Sequence, residues 1–273
     1  MTSAPGAAAA AAPEIALSWP QPWLARVTIS NPQRMNAMTC AMWEQLPLVF
    51  QAIATQPSAC VVELVGDVQG RAFCAGGDIS EYPSFRFDKA KLAHFHESQV
   101  WPGLRAILAC DLPVIAHING PCMGAGLEMA SCADLRIASD HATFGAPIAK
   151  LGFPMAPKEA AIVGYALGDA LSRAVLLQAA TLSSTQLQQS GFVTQVCAPD
   201  QTAAVVAQCA HRLQQLSPQA AALNKQTLRG LWPVALQQAV GGVLPVQAAY
   251  DYAASAQHME GIAAFLAKRP AQF

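Results

Sequence analysis

The sequence has few charged residues, and their signs nearly cancel. Asp, Glu, Lys and Arg make up 12% of the 273 residues, and the formal net charge is −1. A protein that binds a nucleic-acid backbone needs a surplus of Lys and Arg to neutralise phosphates. We therefore expect no nucleic-acid partner. The hydrophobic fraction of 53% indicates a substantial core and, for so weakly charged a chain, buried interfaces between subunits.

Several signatures of other protein classes are also missing. No uncharged run of about twenty strongly apolar residues occurs, so no transmembrane span is expected. The sequence has no G-x-S-x-G elbow of a serine hydrolase, no Walker loop, no Rossmann fingerprint and no metal-ligand cluster. None of the eight cysteines forms a C-x-x-C pair, which is typical of reduced thiols in a cytoplasmic protein. We expect neither a metal nor a separate cofactor.

The first residues differ in composition from the rest of the chain. Residues 1–13 are rich in alanine and carry no basic segment followed by a leucine-rich stretch, which a secretory signal would need. We expect a disordered tail here and a cytoplasmic location.

Two glycine-rich turns are the most informative segments that are present. They span residues 71–78 (RAFCAGGD) and 119–128 (NGPCMGAGLE). Each follows an apolar, strand-like run, at residues 60–65 and 113–118, and each leads into a predicted helix. Such a turn leaves backbone N–H groups pointing at one spot, with the helix dipole behind them. Two donors that converge on one carbonyl oxygen would form an oxyanion hole.

These turns resemble the two signature segments of the crotonase family, also called the enoyl-CoA hydratase/isomerase superfamily. Other segments resemble the family in the same order, namely residues 31–38 (NPQRMNAM), 133–138 (ADLRIA), 144–147 (FGAP) and 261–269 (GIAAFLAKR). The resemblance runs from about residue 13 to the end of the chain. One glycine turn alone would be weak evidence, whereas several segments in the family's order and spacing are strong evidence for the fold.

The order of predicted elements, strands alternating with helices and then a helical tail, indicates an α/β protein with a helical appendix. The resemblance implies a crotonase-like spiral of ββα units over residues 14–200. It also implies a C-terminal helical trimerisation region over residues 201–273, and hence a homotrimer or a hexamer made of two trimers. Within these regions we predict a mobile loop running into a helix at residues 80–95, and a helix at residues 234–252.

The resemblance also assigns catalytic roles. It gives the two oxyanion-hole N–H groups to Gly77 and Ala125, and the activation of water to Glu128. Since Glu128 stands between Leu127 and Met129, burial would raise its pKa toward the range of a general base. The alternative is an ordinary acidic residue that the dipole favours at a helix N-terminus.

One position departs from the family's pattern. Hydratases of the family carry a second glutamate directly after Phe-Gly-x-Pro, and this chain has Ile148 there. Glu159 follows downstream, but a helix start after a proline explains it equally well. His94, His96 and Glu97 lie where some family members place catalytic side chains, although such a sequence is usually solvated on a polar helix face.

The resemblance further implies a set of residues that bind the substrate. The acyl group and the thioester are expected to meet apolar and backbone positions, namely Phe73, Ala75, Ile79, Met123, Phe144 and Ile148. The adenine and phosphates of coenzyme A are expected to meet Arg34 and the pair Phe265 and Lys268, with this pair acting across a subunit contact. The alternative is that the apolar residues are ordinary core and the charged ones an exposed surface.

The sequence therefore predicts an acyl-CoA thioester-processing enzyme whose oxyanion hole stabilises an enolate. The main expectation is an enoyl-CoA hydratase, a lyase that adds water to a 2-enoyl-CoA. Coenzyme A enters as part of the substrate. Because the second glutamate is missing, an isomerase, a hydrolase or a decarboxylase on the same fold stays open, and so does a non-catalytic acyl-CoA-binding subunit.

Overall fold

The computed structural model describes residues 12–241 and 248–273. The strands in these residues are β1 (Glu14–Gln21), β2 (Leu24–Ser30), β3 (Val61–Gly66), β4 (Val114–Ile118), β5 (Cys122–Met123), β6 (Leu135–Ser139), β7 (Thr143–Gly145), β8 (Thr181–Ser183) and β9 (Gln195–Cys197). The helices are α1 (Cys40–Ala54), α2 (Lys89–His94), α3 (Trp101–Ala109), α4 (Ala125–Cys132), α5 (Pro157–Leu167), α6 (Asp169–Leu177), α7 (Ser184–Gln189), α8 (Thr202–Gln214), α9 (Pro218–Gly230), α10 (Val234–Val240) and α11 (Ala256–Leu266).

Short helical turns connect these elements around what proves to be the site. A 3₁₀ turn at Ile79–Ser84 follows the first glycine turn, and a second one at Pro147–Leu151 follows β7. Between α2 and α3 the chain forms a π-helical turn, Phe95–Val100. Within the described ranges, no helix is both long enough and apolar enough to cross a membrane.

The larger sheet has six strands in the order β1-β2-β3-β4-β6-β9. Only the β1–β2 pair is antiparallel, and the other pairs are parallel. Parallel sheets need cover on both faces, and β4 is buried along its whole length. Helix α8 covers one face, where Val206 and Ala210 pack on Val61 and Ile115. The main core, including α1 and α3, covers the other face.

The smaller sheet joins the two glycine turns to the rest of the fold. It has the order β5-β7-β8, and β5 lies inside the second glycine turn. Because β3 and β4 are neighbouring parallel strands, the turns that follow them leave the large sheet at the same edge. A parallel bridge pairs Cys74 with Cys122, and the N–H of Met123 donates to the carbonyl of Cys74 at 2.8 Å. The sheet topology thus brings the two turns side by side.

Two local expectations differ in part from the structure. The loop expected to run into a helix at residues 80–95 begins as the 3₁₀ turn Ile79–Ser84, continues as turns and then enters α2. The helix predicted over residues 234–252 ends as α10 at Val240, and residues 248–254 form turns. Packing explains this second difference, since Tyr250 and Ala253 are buried against Leu92 and tertiary contacts override helix propensity.

Two of the predicted segments lie partly or largely outside the described residues. Residues 1–11 of the expected tail lie outside the described residues, as do residues 242–247 of the expected helix. Regular structure begins with β1 at Glu14. After residue 200, every regular element that the structure describes is a helix.

Candidate active site

A cavity of about 300 Å³ lies where the two glycine turns meet α4. Its apolar wall includes Trp43, Val100, Ile148, Leu151, Met155 and Phe265. Its polar groups are Tyr82, Arg86, His96, Glu128 and Lys150. Helix α11 closes one side by packing against the turns Ile79–Ser84 and Pro147–Leu151. A mostly apolar cavity with a few convergent polar groups is the usual form of a small-molecule site.

Two residues that line this cavity have a backbone N–H with no acceptor among residues 12–241 and 248–273. Gly77 lies opposite Met38 in a parallel bridge whose hydrogen bonds are made by the residues on either side of Gly77. The N–H of Met38 donates to the carbonyl of Gly76, and the N–H of Asp78 donates to the carbonyl of Met38. Ala125 is the first residue of α4, where helix geometry leaves the N–H unbonded. In the part of the chain that the structure describes, neither N–H meets an acceptor. Both residues line the cavity.

The backbone at these turns requires glycine for steric reasons. A Cβ at Gly77 would lie 2.3 Å from the hydroxyl oxygen of Tyr82, which is far closer than atoms in contact allow. Gly124, directly before α4, has φ +48° and ψ −112°, a conformation that other residues rarely adopt. Tyr82 itself is buried, so the first turn cannot easily move away from it.

Glu128 presents the only carboxylate of α4 to the cavity. Its backbone N–H donates to the carbonyl of Gly124 at 2.9 Å, which places its side chain one turn into the helix. Its pKa is raised from the ordinary 4.5 to about 8, mainly by burial and also by the carboxylate of Glu159, while Arg86 opposes the rise. Glu128 is therefore a carboxyl group that can change protonation state near neutral pH.

His96 and Glu159 form a buried pair at the same cavity. Nδ1 of His96 lies 2.9 Å from Oε1 of Glu159, and the exposed fractions of the two side chains are 11% and 2%. His96 lines the cavity. Its Nε2 is buried and has no hydrogen-bond partner among residues 12–241 and 248–273.

Arg86 supplies the positive charge of the site. Its side chain is 1% exposed, and its guanidinium lies between the rings of Tyr82 and Phe153, 4.4 Å and 3.9 Å from their centroids. Nε of Arg86 donates to Nε2 of His258 at 3.4 Å. His258 accepts this bond as a neutral ring, because burial lowers its pKa to about 4 and its Nδ1 donates to Ala253. The structure thus fixes a cation between aromatic rings next to Glu128.

The structure brings most of the site residues predicted from sequence together. The cavity wall includes Gly77, Ala125 and Glu128, and with them Ala75, Ile79, Met123, Ile148 and Phe265. Phe265 lies at the cavity of its own chain, so the contact expected across a subunit boundary stays a prediction.

Other predicted residues lie elsewhere. Phe73 and Phe144 are buried in the main core and do not line the cavity. Arg34 and Lys268 are exposed outside it, as is His94. Glu97 accepts a hydrogen bond from Tyr250 at 2.7 Å and pairs with Lys158.

Sequence reasoning missed or underrated three residues of the site. No sequence pattern points to Arg86, whereas Glu159 and His96 are candidates for which a helix start and a solvated helix face are the simpler interpretations. His96 and Glu159 are 63 residues apart in the chain, and Arg86 and His258 are 172 apart. The HFHE segment at residues 94–97 was the one local signal for this side of the cavity.

An α/β fold in which two adjoining glycine turns and a buried carboxyl group line one cavity is typical of the crotonase class of protein. The comparison with protein families agrees, because the model for enoyl-CoA hydratase/isomerase matches residues 21–273. The chain belongs to this family, which confirms the resemblance seen in its sequence segments.

Individual relatives cover nearly the whole chain. It is 32% identical to a 2,3-dehydroadipyl-CoA hydratase of Escherichia coli over 90% of this chain and 93% of that protein. It is 27% identical to a mevalonyl-coenzyme A hydratase of Aspergillus fumigatus over 94% of this chain and 93% of that protein. A solved structure from Magnetospirillum magneticum, described as an enoyl-CoA hydratase/carnithine racemase, matches with a TM-score of 0.73 and 32% identity, covering 92% of this chain and 91% of that one. These matches confirm the predicted fold class.

Proposed function

We propose that this chain is an acyl-CoA hydratase that adds water across the double bond of a 2-enoyl-CoA thioester. One observation carries the proposal: a carboxyl group with a pKa of about 8 shares a cavity with two residues whose backbone N–H groups have no acceptor in the described part of the chain. Such a group can take a proton from water, while the N–H groups hold the negative charge that develops on the thioester oxygen.

Gly77 and Ala125 act as the oxyanion hole in this proposal. The thioester carbonyl accepts from both N–H groups, and attack at the β-carbon moves the electrons of the double bond onto the carbonyl oxygen. Each donor of such a hole contributes about 3 kcal/mol to the stability of the transition state. The dipole of α4 adds to this effect because Ala125 is its first residue.

Glu128 acts as the base that activates water. A carboxylate with an ordinary pKa would be a weak base near neutral pH, whereas one with a pKa of about 8 accepts a proton readily. The names of the relatives support hydration, since two of them are hydratases of other acyl-CoA thioesters.

The remaining expectations about binding and assembly belong to the same proposal. The adenine and phosphates of coenzyme A meet Arg34 and Lys268, and no separate cofactor takes part.

A homotrimer or a hexamer of two trimers forms through the C-terminal helices. In its support, no residue of α9 is buried within the single chain, and Leu228 and Leu231 are exposed by 64% and 74%. A cytoplasmic site agrees with the eight free cysteines.

Ile148 favours thioester hydrolysis as the second candidate function. Its side chain lines the cavity at the position of the family's second glutamate and cannot transfer a proton. Hydrolysis needs only an activated water and the oxyanion hole, so Glu128 would suffice without help from this position.

The test follows the loss of the enoyl-thioester absorbance of crotonyl-CoA and the release of free thiol. We expect the wild type to consume the absorbance without releasing thiol, and Glu128→Gln to be at least ~100-fold slower, as for the loss of a general base. Glu14→Gln is the matched control, because Glu14 is exposed at the start of β1.

The outcomes separate the two candidates. Release of thiol by the wild type in step with the loss of the enoyl-thioester would replace hydratase by hydrolase. Full activity of Glu128→Gln would remove Glu128 from the mechanism. No reaction of the wild type with crotonyl-CoA, or with branched and aromatic enoyl thioesters, would contradict hydration.

A further inference from the structure

Hydration needs a proton at the α-carbon as well as a base for water, and the expected donor is missing. Ile148 stands at the position of the second glutamate and presents only carbon atoms to the cavity. Any group that replaces it must border the same cavity, carry a transferable proton and have no other hydrogen bond to satisfy. His96 meets these conditions, on observations independent of those that carry the proposed function.

The hydrogen bond to Glu159 leaves one ring nitrogen of His96 for chemistry. A carboxylate can only accept, so at 2.9 Å from Oε1 the Nδ1 of His96 carries the proton. Nε2 is then the atom that gains or loses a proton. It is buried without a partner in the described ranges, which costs free energy unless a ligand or water satisfies it.

The surrounding elements hold the imidazole in one orientation. Its ring stacks on that of Tyr250, with centroids 5.6 Å apart and planes 14° apart, and Phe95 meets it edge-on. The hydroxyl of Tyr250 donates to Glu97 at 2.7 Å, and Lys158 pairs with the same carboxylate. A catalytic side chain needs this kind of second layer of support.

The backbone at His96 is also unusual. Residues Phe95–Val100 form a π-helical turn between two α-helices. Such turns cost stability relative to an α-helix and occur often at functional sites. Here the wider turn carries both His96, on the cavity, and Glu97, on the support behind it.

Several elements supply charged or titratable groups near His96, including Tyr250, which stacks on it, and Tyr82 and Lys150, which line the same cavity. Glu159 and Lys158 belong to α5, Glu97 to its own turn, and Glu128 faces the same cavity from α4. Arg86 borders the cavity as well. The carboxylate of Glu159 also raises the pKa of Glu128, so one buried acid serves both candidate proton-transfer groups.

We infer that His96 is the second proton-transfer residue of this site and that Glu159 positions it. The inference rests on the proposed acyl-CoA chemistry. Water gives a proton to Glu128, and its oxygen bonds to the β-carbon. The electrons of the double bond pass to the thioester oxygen at Gly77 and Ala125, and the enolate then takes the proton on Nε2 of His96 at its α-carbon. The proton on Glu128 returns to His96 through water, which restores both groups.

The alternative is a purely structural pair that ties α5 to the π-helical turn. In that case loss of the pair lowers stability but leaves proton transfer at the α-carbon as fast as before. The experiment must therefore read proton transfer separately from folding and from hydration.

The test measures exchange of the α-protons of butyryl-CoA in D₂O by NMR, which requires no double bond. We expect the wild type to exchange them and His96→Gln to do so at least ~100-fold more slowly, as for loss of a general acid or base. His94→Gln is the matched control, because His94 lies two residues earlier and is exposed. Melting temperatures and circular dichroism show whether each variant is folded.

Glu159→Gln tests positioning and replaces the first variant if that fails to fold. An amide oxygen still accepts from Nδ1 but carries no charge, so we expect slower exchange and a pH profile of exchange displaced from that of the wild type. Because Glu159 also raises the pKa of Glu128, this profile is compared in chains that carry Glu128→Gln as well. A structural hydrogen bond alone would leave the profile unchanged in that comparison.

The outcomes are distinct for the two proposals. Exchange within threefold of wild type in folded His96→Gln, an unchanged profile in Glu159→Gln, or no exchange by the wild type would overturn the inference. A wild type that exchanges α-protons through His96 but hydrates no enoyl thioester would overturn the proposed hydratase and leave the inference intact.

Discussion

The two sides of the cavity are built in different ways. On one side, Gly77 and Ala125 offer backbone N–H groups from turns that follow neighbouring strands. On the other side, Arg86 and His96 line the cavity from the segment between the first glycine turn and α3, and Glu159 of α5 holds His96. The first, here called the backbone side, needs small residues at fixed positions along the chain. The second, here called the side-chain side, needs tertiary packing to bring its groups together.

The difference suggests how activity can vary within one fold. The backbone side stabilises charge on a thioester oxygen whatever the reaction at the carbon atoms. The side-chain side determines which proton moves and where it goes. In this chain Ile148 removes one acid from that side, while Glu159 and His96 add another pair.

The largest expected effect comes from breaking the backbone side with Gly77→Ala. The new Cβ would lie 2.3 Å from the hydroxyl oxygen of Tyr82 and force the turn out of position. We expect hydration of crotonyl-CoA to fall by about 100-fold or more, as for loss of one oxyanion-hole donor. Tyr82→Phe in the same chain removes the clashing oxygen and should restore part of the rate.

Gly164→Ala is the matched control for this prediction. Gly164 lies in α5, and a Cβ there meets no atom within 4 Å, so activity should be unchanged and stability should rise by up to ~1 kcal/mol. Unimpaired hydration by folded Gly77→Ala would mean that this turn does not hold the thioester.

A smaller effect comes from removing the cation on the side-chain side with Arg86→Met. Arg86 opposes the rise in the pKa of Glu128, so its loss should raise that pKa and move the rising limb of the pH–rate profile to higher pH. At pH 7 we expect a hydration rate about tenfold lower, which corresponds to a rise of about one unit in the pKa of Glu128. Arg105→Met is the control, since Arg105 is exposed on α3. If the rising limb of Arg86→Met stays in place, Arg86 has no influence on the pKa of Glu128.

The last expected effect is on stability and not on the rate of hydration. Glu128 binds its proton more tightly in the folded than in the unfolded chain, because its pKa rises from 4.5 to about 8. The stability that this group contributes is therefore complete below pH 4.5 and decreases as the pH rises to about 8. Glu128→Gln cannot ionise and should be the more stable protein at high pH.

Urea unfolding measures this difference. The gain in the free energy of unfolding of Glu128→Gln over wild type should be below ~1 kcal/mol near pH 5 and about 4 kcal/mol near pH 9. Glu14→Gln, an exposed acid at the start of β1, should show no such trend. A gain that does not depend on pH would argue against a raised pKa at Glu128.

The sequence allowed the backbone side to be predicted because its determinants are local. Apolar runs at residues 60–65 and 113–118 correspond to β3 (Val61–Gly66) and β4 (Val114–Ile118), and the glycine turns follow them as expected. Glu128 could be predicted as a site residue from the same segment, since the glycine turn before α4 fixes its position one turn into the helix.

The side-chain side could not be predicted because no short-range pattern encodes it. Whether His96 points to solvent or to the cavity depends on the π-helical turn and on Tyr250, which comes from a segment that its periodicity predicted as helix. Phe73 and Phe144 show the converse, because their segments match the family while their side chains pack into the core, as the alternative interpretation expects.

The pH dependence of kcat/KM for crotonyl-CoA hydration tests the central claim most directly, namely that Glu128 is a base whose pKa burial and Glu159 have raised to about 8. Because a base works in its ionised form, the account predicts a rate that rises with pH from 6 and is still rising at pH 8, where half of the Glu128 carboxyl groups are ionised. A rate that is already constant from pH 5 to pH 8 would contradict it, since the essential carboxylate would then have an ordinary pKa.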